Sequence, residues 1–74
     1  MKKSELISLT EFGCHLTIDA NKFTCSEVRL MARQTKSSGG ELTIQNIEFF
    51  SFSENKMICE EGRGHITLAN VICN

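Results

Sequence analysis

An apolar–Thr–apolar triplet occurs three times in this chain: Leu16-Thr17-Ile18, Leu42-Thr43-Ile44 and Ile66-Thr67-Leu68. Each triplet sits in a longer match: CHLTIDANKF from Cys14, GELTIQNIEF from Gly40 and GHITLANVIC from Gly64. Apolar/polar alternation rich in β-branched residues marks a half-buried strand. The predicted strands lie near residues 15–19, 41–45 and 65–69, starting 26 and then 24 residues apart. A hairpin needs only a few connecting residues, whereas parallel strands need a crossover of roughly a dozen or more. The spacing therefore predicts parallel strands joined by helices.

The connecting segments read as helices. Thr24 with Glu27, and Ser51 with Glu54, have the spacing of a capping box, in which a hydroxyl and a glutamate satisfy backbone N–H groups reciprocally. Phe23 precedes the first box and Val28 follows it, the two positions of a hydrophobic staple; Phe50 repeats Phe23 before the second box. Gly39 and Gly40 close the first of these helices, and Gly62 and Gly64 the second. Leu6, Ile7 and Leu9, followed by Gly13, read as the end of an earlier helix. The predicted order is α-β-α-β-α-β over residues 1–74, one domain of about two and a half β-α repeats. The expected fold class is α/β: a short right-handed β-α solenoid with three parallel strands and three helices on one face.

Composition narrows the classes of function. With 41% hydrophobic and 23% charged residues the chain reads as globular. A chain this short buries only about 60% of the surface it exposes when unfolded, so a thin core is expected and a partner subunit would help it. The net charge of -1 leaves no excess of cations to neutralise phosphates, so no nucleic-acid partner is expected. No apolar run reaches the roughly 20 residues that span a bilayer, and Ser8, Thr10 and Glu11 interrupt any leader-like apolar stretch. The expected setting is the cytosol, with no membrane partner. There Cys14, Cys25, Cys59 and Cys73 read as reduced, mostly buried thiols. No phosphate-binding glycine loop, no H-E-x-x-H and no recognisable nucleophile is present, so neither an enzyme nor a cofactor is expected.

Strand alternation sorts the side chains into two faces. Leu16, Ile18, Leu42, Ile44, Ile66 and Leu68 should meet the helices, where Val28, Met31, Ala32, Ile58 and Cys59 pack on them. The other face should carry His15, Thr17 and Asp19 from the first strand, Glu41, Thr43 and Gln45 from the second, and His65 and Thr67 from the third. This open face is the candidate partner-binding surface. His15, Glu41 and His65 would form a row across it. A metal- or pH-responsive strip is the second reading of that row. The plainer reading, which we take, is a solvated polar face, because a straight row spreads its ligands instead of gathering them round one ion. We assign no metal site.

Two further surfaces follow from the pattern. On a helical wheel Leu30 falls opposite the Cys25, Val28, Met31, Ala32, Thr35 stripe; Met57 takes the matching place in the next helix, and Leu6 in the first. Leu6, Leu30 and Met57, with Val71 and Ile72 at the apolar end of the sequence, are the candidate self-association residues of a homo-oligomer. Arg29, Arg33 and Lys36 form a basic stripe read as a solvated face, with Arg33 expected to pair with Glu60.

The segment LTIDAN, residues 16–21, resembles the L-x-L-x-x-N signature of leucine-rich repeats. The other copies depart from it: Asn46 and Asn70 fall one place early, and Gly13 and Gly39 stand where that family has an upstream leucine. Residues 15–71 are also similar to short bacterial proteins built from LTIxA and LTIxN units. The resemblance implies a parallel sheet with helices on one side and a tendency to bind proteins. The functional expectation is a small cytosolic protein–protein interaction module, acting as a bacterial accessory or regulatory protein.

Overall fold

A computed structural model describes residues 1–69. Its elements run α1 (Lys3–Leu9), β1 (His15–Asp19), α2 (Cys25–Ser38), β2 (Glu41–Gln45), α3 (Phe52–Glu61) and β3 (Ile66–Leu68), with short 3-10 turns at Thr10–Phe12, Ala20–Lys22 and Ile47–Phe49. The chain is α/β, with three strands in one open parallel sheet of order β1-β2-β3. The triplets stand in phase: Leu16 opposite Leu42 opposite Ile66, Thr17 opposite Thr43 opposite Thr67, and Ile18 opposite Ile44 opposite Leu68.

Local chemistry accounts for the helices. At α2 the Thr24 hydroxyl accepts from the Glu27 N–H, and the Glu27 carboxylate accepts from the Thr24 N–H at 2.8 Å. Ser51 and Glu54 repeat this at α3. At α1, Glu5 accepts from the Lys2 N–H, but Lys2 has no acceptor to return the bond. Gly39 ends α2 at φ +82°, where its N–H caps Thr35 and Lys36. Only glycine reaches that conformation without a Cβ penalty. Gly40 then brings β2 against β1: a Cβ there would lie 2.5 Å from the Cys14 carbonyl oxygen.

The core lies between the sheet and the helices. Ile18, Leu42 and Ile44 from the strands meet Val28, Met31 and Ala32 from α2 and Ile58 from α3, with Leu6 and Ile7 of α1 packed against them. Phe23 and Phe50, each just before a capping box, close one end of this cluster. Thr10 ties the end of α1 to α2. Its hydroxyl lies 2.6 Å from the Ile7 carbonyl and 2.8 Å from the Gln34 side chain, and the Ser38 hydroxyl donates to the Thr10 carbonyl. One hydroxyl proton serves one acceptor, so both Thr10 contacts are satisfied when the Gln34 amide turns its NH2 toward Thr10.

Two expectations need correction here. The third strand is shorter than residues 65–69, because the His65 N–H is taken by the Gly62 carbonyl at 2.7 Å in the turn before it. Arg33 pairs with Glu61 at 2.7 Å, not with Glu60. The reason is phase: Arg33 and Glu60 are each ninth in their helix and project the same way, whereas Glu61, about 100° further round, turns back toward α2.

Candidate functional site: the open sheet face

The face turned away from the helices is built by strand alternation alone. In β1, His15 and Thr17 are exposed and Asp19 is half-buried; in β2, Glu41, Thr43 and Gln45 are half-buried; in β3, Thr67 is exposed. The middle strand is the more covered one because it has a neighbour on each side. Thr17, Thr43 and Thr67 form a ladder one strand apart, about 4.8 Å per step. At the C-terminal end of the strands Asp19 accepts from the Asn21 N–H at 3.1 Å. The Asn46 side-chain amide, and after it this N–H and Lys22, hold the Asp19 carboxyl below the usual range. Asn46 itself adopts the left-handed conformation at φ +58°, which its short amide side chain tolerates.

The His15–Glu41–His65 row is interrupted at the third strand, which begins at Ile66. His15 and Glu41 are register partners, but His65 lies in the turn before β3, with its Nδ1 2.9 Å from the Gly40 carbonyl oxygen. The imidazole caps a backbone carbonyl of the neighbouring unit instead of joining Glu41. Among the described residues no three His, Cys, Asp or Glu side chains come together as metal ligands would. Cys14, Cys25 and Cys59 are free thiols, all half-buried, and Cys73 lies outside the described residues. Burial, then the nearby Glu54 carboxylate, push the Cys25 thiol up, which keeps it protonated and inert as a nucleophile.

The residues considered for self-association separate. Leu30 and Met57 both reach solvent, at 36% exposure each. Leu6 does not join them: it packs against the core, because in a helix of only seven residues the apolar side chains turn toward the sheet. Val71 and Ile72 lie outside the described residues. Arg29, Arg33 and Lys36 all bear on Glu61, with the Arg33 hydrogen bond the largest influence holding that carboxyl low. The stripe is thus a contact between α2 and α3 as well as a solvated face.

The structure also shows apolar surface that the sequence pattern did not single out. Phe12 is 74% exposed, Phe49 62% and Phe52 83%, and Met1 is 85% exposed. A signal was available in the run FFSF before α3. Only one phenylalanine there can occupy the staple position, and Phe50 does, so Phe49 and Phe52 must project elsewhere. Phe49 leans edge-on against Phe50, their ring centres 6.0 Å apart.

No family model, curated protein or solved structure matches this chain. No helix among the described residues is long and apolar enough to cross a membrane.

Proposed function

We propose that this chain is a small protein-binding module that recognises another polypeptide with the uncovered face of its sheet. The observation that carries the reading is the placement of all three helices' packing residues on one side of three in-phase strands. The other side is a flat array of His15, Thr17, Asp19, Glu41, Thr43, Gln45 and Thr67 side chains. Short polar groups on a rigid sheet give a partner fixed hydrogen-bonding positions at small entropic cost. We read the scaffold as a short right-handed β-α solenoid of leucine-rich-repeat type. The 26- and 24-residue spacing and the unbroken register support this. On the resemblance drawn above, the module is a bacterial cytosolic accessory or regulatory protein that works by binding and not by turnover.

The test is site-specific photocrosslinking in cells that express the protein. A photoreactive side chain at Thr43, in the middle of the face, should yield a discrete crosslink to another polypeptide. The same group at Lys36, exposed on α2, should not. Equal labelling from both positions, or none from Thr43, contradicts a binding role for the face.

A further inference from the structure

Successive units contact each other by a rule that leaves the outer sides of α1 and α3 unmatched among the described residues. The first residue of each helix lies against the start of the next helix. Lys3, first in α1, donates to Glu27, third in α2, at 3.1 Å and sits over the ring of Phe23, the residue before that helix's cap. Cys25, first in α2, lies close enough to Glu54, third in α3, for that carboxylate to act on its thiol. Phe52 is first in α3, and among the described residues no further helix meets it. At the opposite end, Met1 and Glu5 hold in α1 the positions that Phe23 and Glu27 hold in α2, and among the described residues no helix packs against them from the other side. Phe52 and Met1 are 83% and 85% exposed, whereas Phe23 is 7% exposed. Met1, Ser4, Glu5, Ser8 and Leu9 line an open groove on α1.

The strand edges carry the same asymmetry. Glu41 donates to the Cys14 carbonyl, Leu42 donates to the His65 carbonyl, and the Ile44 carbonyl accepts from Ala69. Alternation in a parallel ladder then turns the backbone groups of Ile66 and Leu68 to the outer side of β3, and those of His15, Thr17 and Asp19 to the outer side of β1. Within the sheet, core-facing residues of one strand always bond to the open-face set of the next. The outer edge of β3 and the outer edge of β1 are therefore complementary to each other, in parallel and in phase. Ile66 and Leu68 are only half-buried, although Leu42 and Ile44, their neighbours across the sheet, are fully buried. Continuing the pattern by one unit would cover them with an α1 carrying Leu6 and Ile7.

We propose that the occupant of the α3/β3 end is a second copy of this chain, joined head to tail. Phe52 of one copy lies in the α1 groove of the next, against Met1 and Glu5, and β3 pairs in parallel with the next copy's β1. A methionine against an aromatic ring is a favourable contact. Lys56, one turn on from Phe52, brings positive charge toward Glu5. Such a joint is heterologous, so it propagates into open chains unless the rotation closes a ring. The proposal goes beyond the sheet-face reading and uses different atoms, since the edges and ends are consumed and the open face is left free.

The experiment is sedimentation velocity on the purified full chain over a concentration series, with two blocked variants. Phe52→Glu removes the knob, and a glutamate in the first turn suits the helix dipole. Ser8→Arg fills the groove at an exposed position near the end of α1, where a cation is equally well placed. Circular dichroism should match the parent for both, and their melting temperatures should match the parent's at dilutions where it is monomeric. The parent should grow with concentration past twice the monomer mass, and each variant alone should stay monomeric. An equimolar mixture should form a dimer and stop there, because one variant keeps only its α1 end and the other only its α3 end. A parent that stays monomeric, a parent that halts at a dimer insensitive to Ser8→Arg, or a mixture that stays monomeric each overturns the proposal. None of these outcomes bears on crosslinking from Thr43.

Discussion

The two β-α units of this molecule share a plan and differ in completeness. The α2–β2 unit buries Val28, Met31, Ala32 and Thr35 on its helix and Leu42 and Ile44 on its strand. The α3–β3 unit buries Ile58 alone on its helix, and Ile66 and Leu68 remain half-buried. Both helices start with the same capping chemistry, so the difference does not arise from helix initiation. It arises from neighbours: among the described residues α2 and β2 are flanked on both sides, while α3 and β3 are flanked on one. At the position matching Val28, α3 has Asn55, whose amide donates to the Ile47 carbonyl at 2.9 Å and reaches the Phe50 carbonyl at 3.4 Å. An apolar staple in the inner unit is replaced by a polar tie in the outer one. Similar sequences set a similar plan for each unit, and the elements on either side determine how much of that plan is buried.

The largest predicted contrast is between the strands. Leu42→Ala should cost about 3–4 kcal/mol, within the range for a fully enclosed leucine. Leu68→Ala should cost about 1 kcal/mol, because much of its side chain already meets solvent. Urea unfolding of the two variants measures both, and equal losses would erase the distinction between the units.

Glycines give the next contrast. A Cβ at Gly40 meets only backbone, the Cys14 oxygen at 2.5 Å and the Gly13 carbonyl carbon at 2.8 Å. A Cβ at Gly62 meets the half-buried Ile66 side chain at 2.5 and 2.6 Å, which can turn aside, and the Ala32 Cβ at 3.1 Å. Gly40→Ala should therefore cost about 2–3 kcal/mol and Gly62→Ala about 1 kcal/mol, read from thermal unfolding. Asn55→Ala, which removes the polar tie of the outer unit, should cost about 1 kcal/mol in the same assay.

The smallest effect is expected from acid. The Thr24 N–H and then Lys3 hold Glu27 below the ordinary glutamate range, and Arg33 does the same for Glu61. Their folded pKa values lie below the unfolded ones, so the unfolded chain binds more protons. The stability they contribute is present above about pH 4.3 and is lost as pH falls through the folded values. Glu27 joins α1 to α2 and Glu61 joins α2 to α3, so Glu27→Gln and Glu61→Gln should each flatten this acid dependence by a similar small amount. Both side chains are partly open to solvent, and added salt should shrink the effect.

The parallel sheet and the phase of its strands were legible because the triplets and capping boxes repeat, and local rules set both. Gly39 was legible for the same reason. Three features were not. Arg33 finds Glu61 because matching positions on neighbouring helices project the same way, so the partner is the residue one place on, and a wheel that aligns the two helices hides this. His65 stands before β3 and bonds through Nδ1 to the Gly40 carbonyl, because the turn after α3 takes its N–H, and nothing in EGRGH announces that contact. Leu6 turns to the core because seven residues give too little periodicity to assign a face. Of the candidate site, the places of the β1 and β2 residues follow from alternation, and β3 itself adds Thr67.

The in-phase parallel register underlies every surface described above, and cross-strand nuclear Overhauser contacts test it most directly. The backbone of Thr43 should show contacts to the Thr17 region on one side and the Thr67 region on the other, with the slanted, evenly spaced pattern of parallel pairs. Close Hα–Hα contacts between β2 and either neighbour, the mark of antiparallel pairing, or a one-residue slip that sets Thr43 opposite Leu16 or Ile18, would contradict it.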